Sequence, residues 1–234
     1  MITVLAEPGS IVTGGVLKVS VPEEHHLGVL RVEERSELRV VDGQGTIGWG
    51  RFTWSPPTIA IERVEQAPAP VPLWLAAGAG DKDRFFTLVE KAVELGVTRI
   101  VPLETEHSRS VSSRVRPVHV EKLVQRAGQA LKQSRNPWLP VIDQPATLDS
   151  FVRMDLPAVR WLADGAGPRP TRVEATTAMV VVVGPEGGLT DSEREALVRA
   201  GFAPVTLGPY VLRFDTAAVA ALTLAAHLRS REPA

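Results

Sequence analysis

Two short segments near the C-terminal end of this 234-residue chain hold the residues best suited to chemistry. The first is Gly184-Pro-Glu-Gly-Gly188, set between an apolar run at 179–183 and a helix start at Thr190-Asp-Ser-Glu193. Pro185 stiffens a turn, while Gly187 and Gly188 permit positive φ and let a ligand approach the backbone. The second is Leu207-Gly-Pro-Tyr-Val-Leu-Arg-Phe-Asp-Thr216, in which Gly208 and Pro209 make a rigid bend just before the last helix. Arg213 and Asp215 stand there, just before the last helix starts. Each segment also has a plainer reading, as a connecting turn with a local Arg213–Asp215 salt bridge and Asp215 as a helix cap. Two such turns after consecutive strands would form one backbone-lined pocket at the edge of a sheet where α/β domains bind ligands.

The elements that must position them read as two regions. Residues 1–66 carry short runs at 16–21, 38–41, 46–54 and 58–63, rich in β-branched or aromatic residues and separated by Gly, Pro and Asp. That pattern predicts a small β-barrel, with Asp42-Gly43 as a hairpin turn. Ala67-Pro68-Ala69-Pro70-Val71-Pro72 is a stiff extended linker. From residue 73 to 234 strands alternate with helices. Strands are expected at 73–76, 97–103, 179–183 and 205–207, and helices at 83–95, 117–134, 191–200 and 216–229. This is an α/β domain with a mainly parallel sheet.

Composition narrows the chemistry. There is no cysteine, and the five histidines show no ligand spacing, so no metal site is expected. Neither a phosphate-binding G-x-x-x-x-G-K-[ST] loop nor a G-x-S-x-G elbow occurs. Gly43-Gln-Gly45-Thr-Ile-Gly48 matches the dinucleotide pattern in letters, but a strand-like run follows where that chemistry needs a helix. The N-terminal residues show no basic start before an apolar core, and no apolar stretch is long enough to span a bilayer, so a soluble cytoplasmic protein is expected. Net charge is −1, yet residues 99–135 carry eight Lys/Arg against three Glu, a local excess that suggests one anionic partner.

Six collinear segments carry a family resemblance. The two C-terminal turns resemble the signatures of the RsmE family within the SPOUT superfamily. So do His26-Leu-Gly-Val-Leu-Arg31, Glu90-Lys-Ala-Val-Glu-Leu-Gly-Val97, and the Ser108-Arg-Ser110 and Gln133-Ser-Arg-Asn136 elements. The resemblance implies an N-terminal PUA-like barrel (1–66) and a SPOUT methyltransferase domain (73–234) with a trefoil knot. It also implies S-adenosylmethionine as cofactor, a homodimer, and methylation of N3 of a uridine in 16S rRNA, at position 1498 of that RNA. Two positions depart from the family pattern: Tyr210 stands where an Arg is usual, and Asp215 where a Glu is usual.

On this reading Ala163, Gly184, Pro185, Glu186, Gly187, Gly188, Leu207, Gly208, Val211 and Leu212 hold the cofactor through backbone groups. Arg213 and Asp215 are the catalytic candidates, Arg213 for stabilising the charge that develops on the uracil and Asp215 for orienting Arg213 or accepting the proton. Arg31, Lys82, Arg109 and Arg135 are the candidates for RNA, with Arg35 and Arg39 beside Arg31. The target base must be unpaired or flipped out, since N3 lies on its pairing edge. Two alternatives stay open: a SPOUT enzyme with another RNA target, or a non-catalytic RNA-binding module that keeps the fold.

Overall fold

The computed structural model describes residues 1–171 and 173–229; residue 172 and the last five residues of the expected 73–234 domain lie outside them. The chain falls into two units. One comprises Met1–Pro70 with Gly128–Leu139, the other Val71–Ala127 with Pro140–Ala234.

The first unit contains β1 (Thr3–Leu5), β2 (Val16–Lys18), α1 (Val21–Val29), β3 (Glu37–Val41), β4 (Thr46–Trp54) and β5 (Pro57–Gln66). Its sheet runs β1-β3-β4-β5-β2, with β1 parallel to β3 and the other pairs antiparallel. Val4 on one edge and Leu17 on the other share one core with Leu38, Phe52 and Ile59, so the sheet curls as a small barrel does. At the β3–β4 hairpin Gly43 has φ of 73°, and Asp42 Oδ1 accepts from the N–H groups of Gln44 and Thr46 at 2.8 and 3.0 Å. The glycine pattern at 43–48 is therefore a hairpin turn running into β4.

Helix α1 corrects the strand expected at 16–21, which stops at Lys18. Its start signals are present in the residues: Ser20 as N-cap, Pro22 in the first turn, then Glu23 and Glu24. Residues 128–139 pack with this unit. Lys132 Nζ meets Glu23 Oε1 at 2.6 Å with both side chains buried, and buried Arg39 donates to Arg135 O at 3.1 Å. That burial removes Arg39 from the solvent-facing RNA candidates, whereas Arg31, Arg35 and Arg135 stay exposed. All three of these arginines have left-handed backbone, at φ of 52°, 63° and 60°.

The second unit opens with β6 (Leu73–Gly78), α2 (Lys82–Glu94), β7 (Arg99–Glu104) and α3 (Glu106–Arg109). A 3-10 turn (Pro117–His119) leads into α4 (Val120–Ser134), whose residues from Gly128 on belong to the first unit; β8 (Val141–Ile142), β9 (Ala146–Thr147) and α5 (Leu148–Val152) follow. The final part is β10 (Val159–Ala163), β11 (Met179–Val183), α6 (Asp191–Arg199), β12 (Ala203–Val205) and α7 (Phe214–Leu228). The sheet order is β12-β10-β11-β6-β7-β8, with β9 also on β7, and every pairing is parallel. Each residue of β11 is buried, as its unbroken run of Met and Val requires of a strand covered on both faces.

Two boundaries differ from the sequence expectation in ways that matter for the site. β12 ends at Val205, two residues before the expected 207, because Thr206 leaves the sheet to donate its N–H to Pro168 O at 2.9 Å. Leu207 is thereby freed for the following loop. α7 starts at Phe214, earlier than the expected 216: Phe214 is buried and stacks on Phe85, with centroids 6.4 Å apart. Arg213 is its N-cap residue and Asp215 lies inside its first turn. The β10–β11 connection touches the later chain at Pro168–Thr206 and again at Val173–Leu228, both through backbone hydrogen bonds.

Candidate functional site

Three parallel strands end side by side, and the turns that follow them enclose one cavity of about 880 Å³. β10 contributes Ala163, Asp164 and Gly165; β11 leads into residues 184–189; β12 leads into residues 206–213. The two glycine turns follow strands consecutive in sequence, but in the sheet β10 lies between β11 and β12. Gly187 and Gly208 nevertheless line the same cavity, which is of the size that takes a small-molecule ligand.

Local chemistry fixes each turn. Thr190 caps α6 by accepting from Glu193 N–H, and Glu193 Oε2 accepts from Thr190 N–H at 2.9 Å, the expected reciprocal box. Glu193 Oε1 also accepts from Glu106 N–H at 2.8 Å, which ties α3 to this turn. His107 on α3 brings Nδ1 within 3.0 Å of Gly188 O and so carries its proton there. A side chain at Gly187 would press on His107, so the glycine permits this close approach. In the other loop Thr206 Oγ1 donates to Gly208 O at 3.0 Å.

The cavity wall is built for a ligand. At Gly165, Gly188 and Gly208, a Cβ atom would meet nothing within 4 Å. For Gly165 and Gly208 the backbone φ is ordinary as well, so no demand of the chain's own packing requires glycine there. Among the described residues, the N–H groups of Leu207, Gly208, Val211 and Leu212 make no hydrogen bond within the chain. Free backbone donors and acceptors beside space without side chains fit the edge of an adenine and the hydroxyls of a ribose. Of the charged groups, Glu186 presents an exposed carboxylate with no ion pair among the described residues. Asp164 and Arg194 pair at 3.3 Å, with the Asp164 side chain largely buried, whereas Arg84 and Arg213 line the cavity with exposed side chains and no ion pair among the described residues.

The structure brings together all ten positions read as cofactor contacts, from Ala163 to Leu212, and adds Arg213 to the same wall. It leaves Asp215 off that wall. The Asp215 carboxylate accepts from Thr216 N–H at 3.0 Å and makes no ion pair with Arg213, so neither the local salt bridge nor a cap at the Asp215 position describes the start of α7. Lys82 is the first residue of α2 and Arg109 the last of α3; both lie in the second unit but outside the cavity lining. Arg31 and Arg135 belong to the first unit. The sequence reading missed Arg84, Asp164 and Gly165. An Asp-Gly pair directly after the Val-Arg-Trp-Leu-Ala run at 159–163 was a legible signal; Arg84, on a helix start far away in sequence, offered none. Among the described residues no cluster of His, Asp and Glu could hold a metal ion, and no helix is long and apolar enough to cross a membrane.

Residues 67–226 match the family model described as an RNA methyltransferase domain. The ribosomal RNA small subunit methyltransferase E of Aquifex aeolicus is 30% identical to this chain over 219 residues, covering 90% of this chain and 94% of that protein. The chain belongs to the ribosomal RNA small subunit methyltransferase E family. Another member of that family, from Synechocystis, is also 30% identical, over 83% of this chain and 67% of its own length. The crystal structure of the Neisseria gonorrhoeae family member bound to S-adenosyl methionine superposes with a TM-score of 0.87 at 25% identity, covering 97% of this chain and 98% of that one. A Legionella pneumophila protein in complex with the cofactor SAM gives a TM-score of 0.83 at 27% identity, covering 95% and 96%. Family membership thus extends over both units, including the barrel that the domain model leaves out.

Proposed function

We propose that this chain transfers the methyl group of S-adenosylmethionine to N3 of a uridine in 16S rRNA, the position the family resemblance gives as 1498. The observation that carries this reading is the convergence of three strand-end turns on one backbone-lined cavity with an unpaired Arg213 on its wall. When bound, the cofactor supplies an electrophilic methyl group on a sulfonium. The chain's own part is position and charge. Backbone groups at 207–212 hold the adenosyl portion, and Ala163 and the 184–188 turn close the wall around it.

Uracil N3 carries a proton at neutral pH, so methyl transfer needs that proton to leave and the resulting negative charge on the ring oxygens to be stabilised. Arg213 is assigned to that charge, and the proton passes to solvent at the open mouth. Asp215 is assigned to the first turn of α7, not to the chemistry, because its carboxylate is held by its own helix. Arg31 and Arg135 in the first unit, with Lys82 and Arg109 in the second, are assigned to RNA phosphates.

A homodimer and a cytoplasmic location complete the proposal. Ala218, Ala221 and Ala225 are fully buried in their own unit, but Ala217, Ala220 and Ala226 are only partly covered and leave α7 a small-residue surface for a second copy.

The test is a reverse-transcription stop, since N3-methyluridine blocks base pairing. Small-subunit rRNA from a strain lacking this protein is expected to lose one stop, and purified protein with S-adenosylmethionine to restore it. An unchanged stop pattern rejects the target. Calorimetry showing no binding of S-adenosylmethionine would instead favour the non-catalytic module.

A further inference from the structure

Tyr210 is the chain's one tyrosine, and its placement is unusual for an aromatic residue. It is 83% exposed, and no other aromatic side chain among the described residues is exposed. Its ring takes part in no aromatic pair and its hydroxyl in no hydrogen bond among those residues. Val211 beside it is also fully exposed, yet both residues line the cavity. The loop that presents them is held at both ends, by the Thr206–Gly208 hydrogen bond and by the buried ring of Phe214. The ring is thus offered at the cavity mouth by an anchored segment.

The surroundings say what kind of partner fits. Arg84 and Arg213 line the same cavity without ion pairs among the described residues. A flat apolar face beside two free guanidinium groups is complementary to a flat base on an anionic backbone.

We propose that Tyr210 is the stacking surface for the target uracil once that base has left its helix. The proposal rests on the reading of the chain as an RNA methyltransferase acting on a uridine. Stacking on the ring holds the uracil at the mouth, with its pairing edge turned toward the cavity and its oxygens toward Arg213. Tyr210 therefore acts in RNA binding and not in holding the methyl donor.

The test uses the full chain and a 16S rRNA fragment with 5-iodouridine at the target position. Irradiation is expected to link the RNA to Tyr210. Tyr210→Ala is expected to raise the KM for RNA about ten- to hundredfold, the range that loss of one stacked base produces. Its affinity for S-adenosylmethionine is expected to stay within about twofold, and Tyr210→Phe, which keeps the ring, to recover most of the loss. The proposal is overturned if the link forms only from a flanking position, or if Tyr210→Ala leaves the RNA KM unchanged. It is also overturned if Tyr210→Ala converts a larger species to a smaller one in sedimentation, which would give the ring to a contact between copies. If wild-type protein methylates nothing in 16S rRNA, the proposed function fails separately; the cross-link to Tyr210 still decides whether the base stacks there.

Discussion

The rings of Phe85 and Phe214 stack at 6.4 Å with 24° between their planes, and each directly follows a cavity arginine in sequence. This pair joins the first turn of α2 to the first turn of α7. Through it Arg84 and Arg213, 129 positions apart by residue number (213 − 84), come to the wall of one cavity. Their placement depends on a core contact that neither residue makes.

Weakening that contact should therefore disturb the chemistry beyond its cost in stability. Phe214→Ala is expected to destabilise the fold by about 3–5 kcal/mol. Phe214→Leu should cost about 1 kcal/mol, and methyl transfer, measured where the variant is fully folded, is expected to fall by more than that loss of stability predicts.

Arg213→Ala should separate chemistry from cofactor binding. Loss of one preorganised charge donor typically lowers the rate about 10²–10³-fold. Calorimetry should show S-adenosylmethionine affinity within about twofold of wild type. Lost cofactor binding would move Arg213 from the reaction to the pocket wall.

Arg84→Ala should instead weaken RNA binding with little effect on the maximal rate. If its guanidinium meets a phosphate, the slope of log affinity against log salt should become shallower by about one. Filter binding across a salt series measures this, and an unchanged slope assigns Arg84 to something other than phosphate.

Gly208 offers a test of the cradle itself. A methyl group there meets no protein atom within 4 Å and the backbone is not left-handed, so Gly208→Ala should leave the thermal midpoint unchanged within about 2 °C. The same methyl group occupies the ligand's space, and cofactor affinity is expected to drop about tenfold or more.

Asp81 gives a pH dependence with a defined sign. Its carboxylate accepts from Ser113 Oγ at 2.6 Å and caps α2 through the N–H groups of Arg84 and Asp83. These bonds, the one from Ser113 foremost, hold its pKa below the ordinary 3.8. A carboxylate lowered on folding stabilises the fold above the unfolded value, and that stability is lost as pH falls through the folded one. Asp81→Ala should therefore cost about 1 kcal/mol at neutral pH, and its thermal midpoint should converge on wild type in acid.

Much of the architecture was legible because hydrophobic runs and caps are local. The bounds of β4 and β11 agree with those read from β-branched and apolar runs, and the Thr190–Glu193 box formed as spaced. Helix α1 was not read because Val16 to Val21 looks like a strand until Pro22 and the two glutamates are weighed as a helix start. The end of β12 and the start of α7 were each displaced by two residues, because both are decided by distant partners: Pro168 for the first and Phe85 for the second. The same reason hid Arg84 and sets Asp215 off the cavity wall. Local pattern finds the turns; only tertiary packing shows which charged side chains face the space between them.

The position of β10 between β12 and β11 has a consequence for how the protein is made. Ribosomal synthesis delivers the three strand ends in the order 163, 183, 205, and the wall closes only with the segment through Ala217. A nascent chain that has not yet reached Ala217 therefore lacks part of the donor site. Ligand binding then acts as a clamp on the folded domain, adding to its stability by mass action while offering little to shorter nascent forms.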